Sequence, residues 1–110
     1  MSEPLVVFCT CEQKQQAAQI AEALVREGLA ACVNVLPGIQ SVYRWKGAME
    51  RAEEVLLLIK TTAERFAALR DRIQELHSYE VPEIIAVPIV SGSEKYLGWL
   101  EAQVSAGENV

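Results

Sequence analysis

A mixed α+β fold, with two helices on one face of a four-stranded sheet, follows from three features of the sequence. The first is the order of apolar segments, which reads β-α-β-β-α-β-α. The second is a long predicted hairpin, Leu29 to Thr62, whose arms are joined at Lys46-Gly47. The third is the placement of two prolines. Pro37 and Pro88 fall inside predicted strands, and a residue without an amide proton belongs at a sheet edge or a bulge.

Leu5 to Cys11 reads as the first strand, apolar on both faces and expected to be buried on both. From about Gln13 to Glu27 the period becomes helical, with Ala17, Ile20, Ala21, Leu24 and Val25 on one face. Gly28 stands where a helix ends in a left-handed residue. In the hairpin, a two-residue loop at Lys46-Gly47 sets Trp45 opposite Ala48 and Tyr43 opposite Glu50. Pro37-Gly38 predicts a bulge in the outgoing arm. The return arm, Ala48 to Thr62, holds neither Gly nor Pro and reads as central. Thr61 and Glu64 have the spacing of a capping box for a second helix with Phe66, Leu69, Ile73 and Leu76 on its apolar stripe. Pro82 ends that helical stretch. Ile84 to Val90 is the last long strand. A short third helix carries Tyr96, Leu97, Leu100 and Val104, and the tail from Ser105 to Val110 is expected to fray.

The first and third strands are therefore central and the second and fourth are edges. With right-handed crossovers both main helices land on one face, which is the ferredoxin-like split βαβ arrangement. The other face would leave Val, Leu and Ile in water, a larger apolar patch than monomers tolerate. A second copy of the chain is the simplest cover. The expectation is an obligate homo-oligomer, and a monodisperse monomer at micromolar concentration would contradict it.

The chain has 110 residues, read as one domain spanning residues 1–110. Its net charge of −5 argues against nucleic acid and permits cations. No apolar run approaches membrane-span length, so no membrane partner is expected. Met1 to Pro4 leads straight into the first strand, without a basic leader and cleavage site, which predicts a cytoplasmic protein. An odd count of three cysteines, Cys9, Cys11 and Cys32, speaks against a disulfide framework.

Cys9 and Cys11 are two apart, so both thiols share a strand face. They stand just before a helix start, which favours thiolate, and soft thiolates suit Cu(I) or Zn. For Cys9 a small buried hydrophobe is the leading reading from the residues alone; Cys11 is expected to be less buried, and Cys32 to sit in the core. His77, the single histidine, is a metal-ligand or pH-sensitive candidate. Glu50, Glu53, Glu54, Glu80 and Glu83 offer oxygen ligands for a hard cation, or form a solvated face. Tyr43, Arg44, Trp45, Tyr79 and Trp99 are read as packing between chains, with a ligand cleft as the alternative. No nucleophile triad, phosphate loop or paired-Cys zinc framework is recognisable, so no enzymatic activity is expected.

Several stretches resemble the CutA divalent-cation tolerance family. They are Phe8-Cys9-Thr10, Gly28 to Gly38, Ser41 to Gly47, Glu53 to Thr61, His77 to Glu83 and Tyr96 to Leu100. The resemblance spans roughly Leu5 to Val104, with the motifs in order. It implies the ferredoxin-like fold and a homotrimer held by inter-subunit strand pairing, similar to PII-type signalling proteins. It further implies a role in tolerance to copper and other divalent cations, with copper or another divalent cation as ligand and no organic cofactor. Of the family's copper-associated positions, Cys9 and His77 match. The second histidine of some members is Leu76 here, and the proline that often follows is Ser78. The resulting metal candidates are Cys9 and His77, then Cys11 and Glu80. A trimer that binds a small molecule or protein at subunit clefts is the alternative reading.

Overall fold

A computed structural model describes residues 2–105. Its strands are β1 (Pro4–Cys11), β2 (Cys32–Trp45), β3 (Ala48–Thr62) and β4 (Ile85–Pro88). Its helices are α1 (Lys14–Arg26), α2 (Phe66–Leu76) and α3 (Glu94–Val104). The sheet order is β2-β3-β1-β4, all neighbours antiparallel. β1 and β3 are central and both proline-bearing strands are edges, as the sequence predicts. Among the described residues no helix is long and apolar enough to cross a membrane.

Local chemistry accounts for the boundaries. Gly28 takes φ +73° after α1. Its amide donates to Val25 and the Leu29 amide to Leu24, at 3.1 and 2.9 Å, closing the helix in a Schellman motif. The hairpin turns on Lys46 and Gly47, both at positive φ, the backbone that a two-residue turn needs to match strand twist. Trp45 faces Ala48 and Tyr43 faces Glu50. The register slips between Leu36 and Ile39, around Pro37-Gly38.

The helices cover one face. Val7, Cys9 and Cys11 of β1 and Val55, Leu57 and Ile59 of β3 form one buried cluster with Ile20, Leu24, Leu69 and Ile73. The alternate row, Val6, Phe8 and Thr10 with Leu56 and Leu58, is only half-buried. The two-face burial expected for the central strands is therefore not met within one chain. On β4, Ile85 and Val87 are exposed.

Four local expectations are corrected. Thr61 does not cap the second helix: it ends β3 in the core, and its hydroxyl donates to the Leu29 carbonyl at 2.7 Å. The chain enters α2 through a 3-10 turn, Ala63–Arg65, without a side-chain cap. The last strand is four residues long, because it pairs with β1 alone and ends at Pro88. Val25 and Tyr96 are exposed; Ala23 takes the core position in α1. Cys32 is half-buried at the start of β2, outside the core cluster. Ser105 follows α3, and the rest of the expected frayed tail, 106–110, lies outside the described residues.

Candidate metal centre

Strand pleating brings the first two candidate donors together. Cys9 and Cys11 lie opposite Leu57 and Val55 on the helix-covered face, and both are fully buried. Cys11 is thus not the more exposed of the two, since it occupies the same row as Cys9. The third comes from the end of α2. His77 adopts an extended backbone that stops the helix, while its amide still bonds the Ile73 carbonyl at 2.8 Å. This turns the ring back over the end of β1. One donor atom each from Cys9, Cys11 and His77 lie within 4.8 Å of one another, and His77 is 8% exposed.

Backbone partners define the histidine tautomer. The Tyr79 amide donates to Nδ1 at 3.0 Å, so Nδ1 carries a lone pair. Nε2 lies 2.7 Å from the Thr10 carbonyl and must donate its hydrogen there. The Tyr79 ring packs against the imidazole with centroids 4.7 Å apart. A metal at either nitrogen therefore replaces one of these hydrogen bonds.

The two thiols are unequal. The neighbouring Cys9 thiol outweighs burial, and with His77 nearby it brings the Cys11 thiol down to about 6. Its proximity to Cys11, together with burial, pushes Cys9 far up, and the Cys9 Sγ donates to the Thr10 carbonyl at 3.9 Å. The directions of the two shifts put the proton of the pair on Cys9 rather than on Cys11. Burial opposes the His77 imidazolium, but the Cys11 thiolate and the Thr10 carbonyl more than offset it and raise its pKa. The Tyr79 amide, donating to Nδ1, acts against that rise.

Next to this cluster, on the other side of β1, is an open groove of about 630 Å³. Tyr43, Trp45 and Tyr79 supply aromatic walls, and Glu54, Glu80 and Glu83 supply carboxylates. Tyr79 donates from its hydroxyl to Glu54 Oε2 at 2.6 Å. Burial and the Glu54 carboxylate raise the Tyr79 pKa. Glu80 is exposed and lines this groove, apart from the Cys-Cys-His group. Arg44 and Trp99 lie outside the lining; Trp99 packs on Tyr96 of α3, 5.6 Å between centroids. Glu54 is 6% exposed rather than part of a solvated face. Sequence reasoning missed the Thr10 carbonyl as a histidine partner, and no local signal marks it.

Residues 5–103 match the profile of the CutA1 divalent ion tolerance protein family. The chain belongs to this family. It is 50% identical over 95 residues to the divalent-cation tolerance protein CutA of Thermus thermophilus, covering 86% of this chain and 92% of that one. The solved divalent cation tolerance protein of Thermus thermophilus superposes with a TM-score of 0.87 at 49% identity, over 88% of this chain and 94% of that chain. CutA from Xylella fastidiosa gives 0.92 at 42% identity, over 94% of this chain and 100% of that one. The chloroplastic CutA of Arabidopsis thaliana is 44% identical over 88% of this chain, which spans only 53% of that longer relative. The α+β architecture of CutA is thus shared, and relatives include a chloroplast protein.

Proposed function

We propose that this CutA family member binds copper through Cys9, Cys11 and His77 and contributes to cation tolerance as a homotrimer. The observation that carries the metal reading is the convergence of two thiols and an imidazole within 4.8 Å in a buried pocket. The donor set fits the ion. Thiolate is the soft donor that Cu(I) selects, and one of the two sulfurs is already favoured as thiolate. The cluster offers three protein donors, whereas a structural zinc site takes four. Copper is bound here as cargo, and no catalytic step is proposed. Glu80 is too far out to share in this cluster and belongs with the groove.

The assembly is supported by the half-covered sheet face. Val6, Phe8, Leu56 and Leu58 are half-buried, and Ile85 and Val87 exposed, in one continuous apolar row. On the same row the hairpin arm adds Tyr43 and Trp45, both exposed. Burying such side chains contributes roughly 1.5–3 kcal/mol each. The free state of all three cysteines suits a reducing compartment, so we place the protein in the cytoplasm.

The test is a competition titration of reduced protein with Cu(I), Cu(II) and Zn(II), with Cys9→Ser, Cys11→Ser and His77→Ala in parallel. Sedimentation equilibrium on each sample reports the assembly. The proposal expects stoichiometric Cu(I) binding, weakened by each substitution, in particles of three times 12.2 kDa. Binding indifferent to all three substitutions overturns the site; a monomer overturns the assembly.

A further inference from the structure

His77 stands where the sheet loses a strand. The Pro4 carbonyl accepts from the Ile89 amide at 3.0 Å. Thr10, an even number of residues further along β1, turns its carbonyl to the same side. β4 has ended by then, since its ladder with β1 stops at Phe8 and Ile85. The His77 ring takes the place of a strand partner, with Nε2 2.7 Å from the Thr10 carbonyl. Its other nitrogen, Nδ1, accepts from the Tyr79 amide at 3.0 Å. One ring nitrogen is committed as donor and the other as acceptor. A neutral imidazole that holds a metal on one nitrogen carries its hydrogen on the other. With the metal on Nδ1, the lone pair that the Tyr79 amide uses is spent. With the metal on Nε2, Nδ1 bears the hydrogen and faces the Tyr79 N–H, donor against donor. In neither case does Nδ1 remain an acceptor, so metal binding by His77 requires the Tyr79 amide to leave.

Tyr79 is held against that departure. Its ring packs on the imidazole, centroids 4.7 Å apart. Its hydroxyl donates to Glu54 Oε2 at 2.6 Å. Glu54 belongs to the central strand β3 and is 6% exposed within the single chain. Hydrogen bonds to a carboxylate are among the stronger ones, and a subunit laid over the open face buries this pair further. Tyr79 is therefore fixed at two ends, by its amide on the histidine and by its hydroxyl on the sheet. We propose that Tyr79 is a latch on the Cys9-Cys11-His77 cluster: anchored by Glu54, it holds His77 in its metal-free orientation, and its amide is released when copper binds. The latch rests on the reading of His77 as a copper ligand. Apparent affinity falls with the fraction of protein in which the latch is open. A weaker anchor thus tightens copper binding while it weakens the fold. A merely structural role for Tyr79 would move both in the same direction.

The experiment compares reduced, full-length protein in its native assembly with and without Cu(I), following backbone amides by proton–nitrogen correlation spectra and hydrogen exchange. The Tyr79 amide should shift and exchange about tenfold or more faster in the loaded protein. The His77 amide, bonded to the Ile73 carbonyl, should keep its protection. Competition titration gives the second readout. Tyr79→Phe should tighten Cu(I) binding about threefold or more, although it lowers the Tm of the copper-free protein. Leu100→Ala, in the separate cluster of Ala31, Leu100 and Val104, should lower the Tm and leave Cu(I) affinity unchanged. If Tyr79→Phe does not fold, the amide exchange decides alone. A Tyr79 amide that stays protected and unshifted in the loaded protein overturns the latch. So does weaker or unchanged Cu(I) binding by Tyr79→Phe. Copper binding that His77→Ala leaves intact overturns the ligand reading itself, and the latch with it.

Discussion

The two sides of β1 build two different environments for positive charge. Cys9 and Cys11 point to the helix-covered face, where donors are soft, close together and fully buried. Thr10, between them, belongs to the opposite row and lines a groove that is open, acidic and aromatic. The two share the 77–79 segment: His77 closes one and Tyr79 walls the other, joined by the Tyr79 amide on Nδ1. The contrast teaches that strand alternation alone can separate a buried set of soft donors from an open acidic and aromatic groove, a single residue apart. Burial removes water from the first, and aromatic rings wall the second.

Substitutions can break this contrast, beginning with the core. Leu57→Ala, on the helix-covered row, should cost about 2–5 kcal/mol in urea denaturation. Leu58→Ala, on the other row, should instead shift the sedimentation profile toward smaller particles. Equal effects of both on unfolding alone would erase the distinction between the two faces. The next largest effect concerns the ligands. Replacing Cys9 and Cys11 together by Ala should lower Cu(I) affinity by more than the ~100-fold that outer partners of a metal cost, with the sedimentation profile unchanged. Loss of the assembly together with copper binding would mean that the two faces are not independent.

Tyr79→Phe sharpens the boundary between them. It deprives the buried Glu54 of its donor and should destabilise the fold by about 1–3 kcal/mol; thermal denaturation reads it. The smallest effect is on pH. A Cys11 thiol lowered to about 6 should give thiolate absorbance at about half the two-cysteine amplitude well below the ordinary thiol range. Because the folded value is depressed, the stability it contributes is complete above the unfolded value of about 8.5 and is lost as pH falls through about 6. Cys9, pushed up, acts oppositely above that unfolded value. Cys9→Ala should move the Cys11 titration upward, and an unmoved midpoint would disconnect the thiols.

Much of the fold was legible because its signals are local. Lys46-Gly47, Pro37-Gly38 and Gly28 each impose a backbone conformation on their own neighbours, and each is found as read. Thr61 failed as a cap because a distant acceptor, the Leu29 carbonyl, took its hydroxyl. The apolar runs of β1 and β3 announced two buried faces but could not say which face the same chain covers. At the site, Cys9 and Cys11 were found by spacing. The ring of His77 meets a carbonyl 67 residues away, and the burial of Glu54 depends on Tyr79, 25 residues on. Contacts of that range leave no trace in periodicity.

The central claim is that copper sits between two sulfurs and an imidazole. Copper K-edge X-ray absorption on protein loaded with one equivalent of Cu(I) tests it directly. The account predicts two sulfur scatterers and one nitrogen in the first shell, the nitrogen showing imidazole multiple scattering that His77→Ala removes. A shell of oxygen and nitrogen without sulfur would contradict it.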